Sequence, residues 1–288
     1  VDQVTGLKSH VASGGRLNIF NALEDDLISP APVGGLEIAS KTLTSLNLKF
    51  IPTGDDGKEG EASKYLARYG LSPIITEEDW NQASPLEVSL LSPRLMKLDG
   101  FEMESEGYIS VRARDNVGNL ARLSEPLSFT LPKPNIFYEN DASSLEGTTR
   151  SGEWGLELDK KTEESFFSDS PDGTYKNSQE SSLVLSVGEL EGESFDLLFK
   201  TRYALENKYD FAFLEVSYDG GSSWKELEKF NGQKLKWQTM RYSLSKEAGD
   251  EKLNLSLRFR LKTDYSIAKE GWWIDEIKIL TAKKNLYV

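Results

Sequence analysis

The 288-residue chain contains no cysteine and one histidine, His10. The first absence excludes a disulfide framework, a thiolate metal site and a cysteine nucleophile. It leaves export open, since an extracellular protein needs no disulfide. The second absence leaves almost nothing for histidine chemistry. His10 has no nucleophilic serine beside it in a Gly-x-Ser-x-Gly context, so a Ser-His-Asp triad within these residues is not expected. HExxH, GxGxxG and phosphate-loop motifs are also missing. No run approaches the roughly 18 apolar residues that a spanning helix needs, so no membrane span is expected. Val1-Asp2-Gln3 does not read as a signal peptide, which places any export signal on a preceding portion of the polypeptide. Basic residues are in deficit, 34 against 47 acidic ones, for a net charge of −13. Such a field repels phosphate backbones, and nucleic acid is not an expected partner.

Against these absences, strand patterns are abundant. The length suits two domains of about 100–200 residues each. One short helix is expected over residues 15–26, with Asn18 as its N-cap and Leu17, Phe20 and Leu23 on one face. Ser29-Pro30-Ala31-Pro32 then reads as an extended connector, because each proline fixes φ and disfavours helix before it. From 35 to 131, short alternating runs separated by turn clusters point to a β-sandwich. Leu46, Leu48 and Phe50 share one face of a strand, and Tyr65 to Tyr69 forms another. The acidic loop between them carries Asp55, Asp56, Glu59 and Glu61 without the ligand alternation of an EF-hand, and reads as solvated.

Pro132-Lys133-Pro134 is a second stiff connector, beyond which the strands lengthen and five of the six tryptophans lie: Trp154, Trp224, Trp237, Trp272 and Trp273. In the strand at 211–218, Ala212, Leu214, Val216 and Tyr218 face one way and Phe211, Phe213, Glu215 and Ser217 the other. A further strand puts Leu257, Phe259 and Leu261 opposite Arg258, Arg260 and Lys262, and Asp219-Gly220-Gly221 supplies hairpin-turn chemistry. The expected class is all-β, two β-sandwiches preceded by a short helix.

Three stretches resemble known families. Ser13-Gly14-Gly15-Arg16-Leu17-Asn18, followed by Ile19-Phe20-Asn21-Ala22-Leu23, resembles the last loop and closing helix of a subtilisin-like serine protease domain. That resemblance implies that the catalytic Asp, His and Ser lie upstream in the same polypeptide. Pro52 to Gly57, Ala67-Arg68-Tyr69, Ile75 to Trp80 and Tyr108 to Asn119 resemble a bacterial fibronectin type III domain, except that Lys49-Phe50 stands where such domains usually carry a core tryptophan. Tyr209 to Ser217, Asp219 to Trp224, Leu257 to Arg260 and Gly271 to Ile277 resemble the MAM-like jelly roll of immune inhibitor A-type proteases. The resemblances divide the chain into a protease remnant (1–29), a fibronectin-like sandwich (30–132) and a jelly roll (133–288).

In related jelly rolls a divalent cation, usually calcium, bridges the opening and closing strands. Carried over by position, the ligands would be Glu139 or Asp141, Asp210 and Asp275. The family commonly has two aspartates where this chain has Asp275-Glu276, and Asp275 can equally serve as a backbone anchor. Ser217 to Trp224 also fits the Asp-box of sialidases, but it occurs once and reads as a turn, not an activity. Adjacent Trp272 and Trp273 must point to opposite faces of a strand, so one faces the core. The other is covered by a loop, an edge or a partner, or contacts a ligand, and both are candidate binding residues. The expected function is that of a non-catalytic accessory region of a secreted, extracellular bacterial subtilisin-like endopeptidase. Its partners would be the upstream protease domain and a protein or carbohydrate substrate. The alternative is an extracellular adhesion or carbohydrate-binding protein with no protease partner.

Overall fold

A computed structural model describes residues 2–3, 15–16, 27–159, 162–171, 173–190, 194–245 and 253–282. Strands β1 (Asp2–Gln3) and β2 (Gly15–Arg16) pair antiparallel, so the first two residues of the expected helix are extended. The remainder of that helix, 17–26, lies outside the described residues. The chain divides into two compact units, one holding most residues up to Thr130 and the other those from Leu131 onward.

The first unit contains β3 (Gly34–Lys41), β4 (Ser45–Ile51), β5 (Lys64–Gly70), α1 (Glu77–Gln82), β6 (Ser84–Ser92), β7 (Leu95–Asp99), β8 (Glu106–Arg114) and β9 (Leu127–Thr130). The antiparallel order is β3-β4-β7-β6-β5-β8-β9. Strand β6 changes partners part-way: Ser84 to Leu86 pair with β5, and Glu87 to Ser92 with β7. That switch turns one ladder into two facing layers. Phe50 of β4 and Tyr65 of β5 are not ladder neighbours, yet their rings meet at 4.9 Å across the core. Leu46, Leu48 and Phe50 are buried as their alternation predicts. The short helix α1 is fixed by a capping box, in which the Thr76 hydroxyl accepts from the Asp79 N–H and the Asp79 carboxylate accepts from the Thr76 N–H. It buries Trp80 beneath the guanidinium groups of Arg68 and Arg112.

The second unit contains β10 (Pro134–Asn140), β11 (Thr148–Ser151), β12 (Gly155–Leu158), β13 (Ser165–Ser168), β14 (Glu180–Leu190), β15 (Ser194–Ala204), β16 (Phe211–Ser217), β17 (Lys225–Phe230), β18 (Gln233–Ser245), β19 (Leu253–Lys262) and β20 (Gly271–Ala282). One sheet runs β12-β13-β20-β15-β18, with β10 also on β20, and the other β11-β14-β19-β16-β17. Their inner faces supply the core: Phe195, Leu197 and Phe199 from β15, Ala212, Leu214 and Val216 from β16, Leu255, Leu257, Phe259 and Leu261 from β19. Phe259 touches both Phe199 and Trp272 at 5.4 Å, which locks the two sheets face to face.

A bulge in β20 decides what faces where. The register with β15 slips between Leu198 and Lys200, opposite Glu276, whose φ is 46°. The added residue shifts the period-2 pattern, so Trp272 and Ile274 before it and Ile277 and Ile279 after it all point inward. On the outer face of the second sheet, Glu215 bridges Arg258 at 2.6 Å and Arg260 at 2.7 Å, the side that alternation assigns to all three.

Candidate functional site

Alternation in β20 sends its two tryptophans to opposite faces. Trp272 is fully buried among Trp154, Phe230 and Phe259, and its Nε1 donates to Thr201 Oγ1 at 2.7 Å. It presents no surface to a ligand. Trp273 lies on the outer face, packed with Phe166 and Ala204, and its Nε1 donates to Glu157 Oε2 at 2.8 Å. The Arg202 guanidinium covers it, 4.5 Å from the Trp273 ring, 5.1 Å from Trp237 and 5.2 Å from Phe166. Trp237 reaches this group because the β15–β18 register breaks there: Thr201 faces Gln238, but Tyr203 faces Lys234, leaving Leu235 to Trp237 opposite Arg202 alone. Trp237 packs edge-on against Phe166 at 5.5 Å and keeps 38% of its surface exposed. Trp273 was legible in the sequence. Its companions come from three other strands and a bulge, which no local signal announces.

The loops at one end of the same sandwich gather an acidic cluster. Carboxylate oxygens of Glu206, Asp210 and Asp264 all lie within 4.8 Å of one another. Asp210 is fully buried, its Oδ2 accepting from the Tyr175 hydroxyl at 2.6 Å and its Oδ1 from the Asp264 N–H at 2.7 Å. Asn231 ties the loop down by donating to the Glu206 and Asp210 carbonyls. Burial, then the charges of Asp264 and Asp210, push the Glu206 carboxyl above its ordinary range, and its Oε2 has no hydrogen-bond partner. Three hard oxygens so placed suit a calcium ion, which draws six to eight oxygens (roughly) from carboxylates, carbonyls and water.

Of the four ligands carried over from the jelly-roll resemblance, the structure brings Asp210 into this cluster and places the other three elsewhere. Glu139 forms a cross-strand ion pair with Lys278 at 2.7 Å. Asp141 is exposed and accepts from the Ser143 N–H at 3.0 Å, and its hydrogen bonds with Ser143 hold its carboxyl low. Asp275 accepts from the Glu276 N–H at 2.7 Å, beside the bulge, and burial raises it. Glu206 and Asp264 were not singled out by sequence, because both sit in loops whose approach to Asp210 depends on the finished sandwich.

The Asp-box segment closes a turn. Asp219 accepts from the Ser217 hydroxyl at 2.7 Å, the Ser223 N–H at 2.8 Å and the Ser223 hydroxyl at 2.6 Å. Those bonds, led by the Ser223 hydroxyl, hold it down to about 2. Trp224 lies under Arg258 at 4.3 Å.

No family model matches the chain. Over 150 residues it is 30% identical to Bacillopeptidase F of Bacillus subtilis strain 168. The chain resembles a segment of a subtilisin-like protease. That match takes in 48% of this chain and 10% of the relative, so the chain spans about a tenth of that protein's length. Among solved structures, a carbohydrate-binding module of the β-sandwich superfamily is similar at 12% identity and a TM-score of 0.35, over 87% of this chain and 98% of that one. The CBM22-1 xylan-binding domain of Paenibacillus barcinonensis Xyn10C is similar at 14% identity and a TM-score of 0.35, over 52% of this chain and 96% of that one.

Proposed function

We propose that this chain is a non-catalytic accessory region of a secreted, extracellular subtilisin-like serine endopeptidase, and that it binds substrate or partner and holds it near the catalytic domain. The observation that carries this reading is the 30% identity over 150 residues with Bacillopeptidase F. The subtilisin-like Ser13 to Leu23 segment supports it from the opposite direction. In this reading the first unit is a fibronectin type III-like spacer, supported by its strand order and the partner switch of β6. The second is a MAM-like jelly roll whose outer face does the binding.

The test compares the parent protease with and without residues 30–288. Loss of the region should leave hydrolysis of a small chromogenic peptide unchanged and slow the digestion of a polymeric, surface-bound substrate. Residues 1–288 alone should hydrolyse neither casein nor chromogenic peptides. Serine-reagent-sensitive activity in the isolated chain, or equal digestion of both substrates by the truncated parent, contradicts the proposal.

Calcium stabilises the second unit in this account, with Asp210, Glu206 and Asp264 as protein ligands in place of the set carried over from the resemblance. The acidic cluster and the unpartnered Glu206 oxygen support that choice. Adding calcium to chelated protein should raise Tm, by about 2.7 kcal/mol of stability at a hundredfold excess over Kd. Asp264→Asn should abolish the rise and Asp275→Asn should leave it. The reverse pattern would return the site to β20.

A further inference from the structure

Three turns meet at one end of the second sandwich: 205–210 between β15 and β16, 231–232 between β17 and β18, and 263–270 between β19 and β20. They form an open recess of about 600 Å³, within the range of about 300–1,000 Å³ usual for a small-molecule site, whose walls include Leu205, Glu206, Asn207, Gln233, Ile267 and Lys269. The walls are tied to one another. The Leu205 N–H donates to the Gly232 carbonyl at 2.8 Å, the Glu206 N–H to the Tyr175 hydroxyl at 3.0 Å, and the Tyr175 N–H to the Lys269 carbonyl at 3.1 Å. The polar side chains between them are not so engaged. Asn207, Gln233 and Lys269 make no side-chain hydrogen bond or ion pair among the described residues, and Glu206 Oε2 is buried without a partner. Ile267 adds a strained aliphatic wall. Its φ is 49°, a region that β-branched side chains avoid, and it lies 57% exposed outside the core. An exposed isoleucine held in this way contributes little to packing, and backbone outliers of this kind gather at ligand sites.

We propose that this recess binds a neutral saccharide. The inference goes beyond the outer-face role given above and rests neither on that role nor on protease parentage. Two amides, a carboxyl and an ammonium place donors and acceptors side by side in the recess. A hydroxyl both donates and accepts, so a polyhydroxyl ligand satisfies a mixed set that an ion of either sign would leave partly unpaired. The carboxylates of Glu206, Asp210 and Asp264 outnumber the Lys269 ammonium, which leaves no positive excess to hold an acidic polymer. Ile267 offers its aliphatic surface to sugar C–H groups. Tyr209 and Tyr265, 60% and 84% exposed on the bordering turns, add rings against which further sugar units can pack. Because the walls are fixed to one another, binding has little left to order. Turns and the first residue of β18 line the recess, so an extended peptide finds no run of free ladder groups there.

The test titrates residues 1–288, in calcium-containing buffer, with neutral gluco-, manno-, galacto- and xylo-oligosaccharides, with polygalacturonate and with hexa-alanine, read by calorimetry. At least one neutral oligosaccharide should bind, with an affinity that salt leaves unchanged, and polygalacturonate should not. Asn207→Ala and Gln233→Ala, at exposed side chains without a protein partner, should leave Tm unchanged and each weaken binding about two- to tenfold, the scale of one hydrogen bond. Ile267→Gly should weaken binding while Tm holds or rises, because glycine accepts the positive φ. A purely structural Ile267 would instead lose Tm and leave affinity alone. Trp237→Ala, on the outer face of the other edge, should bind as the parent does. No binding of any neutral oligosaccharide, or unchanged affinity in both amide variants, overturns the proposal. Equal or tighter binding of hexa-alanine overturns the saccharide assignment, and that of polygalacturonate overturns its neutrality. Loss of binding in Trp237→Ala with the amide variants unaffected would move the ligand to the outer face. Because no protease is present, these results are independent of whether the parent is an endopeptidase.

Discussion

Asp169→Asn should convert a pH-dependent native state into one nearly indifferent to pH across the neutral range. Asp169 is fully buried, and burial pushes its carboxyl up to about 7 from an ordinary 3.8, opposed by the Trp272 N–H that donates to its Oδ1 at 2.5 Å. The folded-state value is the higher one, so the native protein binds the proton more tightly than the unfolded chain does. The stabilisation is complete below the unfolded value and is lost as pH rises through about 7. Roughly three units at 1.36 kcal/mol each give about 4 kcal/mol lost between pH 4 and 8. Asparagine keeps the acceptor for Trp272 and cannot ionise. Its N–H₂ replaces Oδ2, which has no partner, so an unmet donor costs about 1–3 kcal/mol at every pH. Urea unfolding at pH 5, 6.5 and 8 separates the two effects. The variant should be the less stable at pH 5 and should gain on the parent by about 2.5 kcal/mol between pH 5 and 8, the roughly two units between pH 5 and the folded-state value of about 7. A stability difference that stays constant across the three pH values would refute the assignment of a buried, proton-holding carboxyl.

Two other substitutions probe the same end of β20. Gly271 has φ of 105°, and a Cβ there would lie 2.2 Å from Asp169 Oδ1, so Gly271→Ala should destabilise by more than about 1 kcal/mol and disturb the Asp169 titration as well, measured by denaturation at two pH values. Thr201→Val removes the acceptor of the Trp272 indole while keeping the shape, and should cost about 1–3 kcal/mol in chemical denaturation without changing the m-value. Asp219, held down to about 2 by its turn hydrogen bonds, should remain ionised well below pH 3 in a carboxyl NMR titration. The turn's contribution, present above the ordinary aspartate value, should be lost as pH falls through that range.

Strands in which one face is buried were readable from sequence for a simple reason: alternation is the imprint of a sheet with an inside. Ala212, Leu214 and Val216 go inward, and Glu215 meets Arg258 and Arg260 outside. The places where reading fell short are those where the period is broken or the element is brief. The six-residue helix at Glu77–Gln82 has a capping box but too few turns to show a periodic face. The acidic loop read as solvated is pinned by Asp55, which accepts from the Asn116 backbone and side chain, a partner 61 residues away. Bulges are harder still. Glu276 and the Leu235 to Trp237 insertion carry no composition cue, yet one keeps Ile277 and Ile279 in the core and the other delivers Trp237 to Arg202. Asp210 stood in a recognisable motif, but its acidic partners are supplied by loops whose positions follow from closure of the sandwich.

The most direct test of the central claim is to isolate the native polypeptide that contains these residues, label it with a serine-directed phosphonate, and locate the labelled peptide. The account predicts a label on a serine upstream of Val1 in the same chain, within a domain that also supplies the catalytic aspartate and histidine. A native polypeptide with no such domain, or a label falling within residues 1–288, would contradict it.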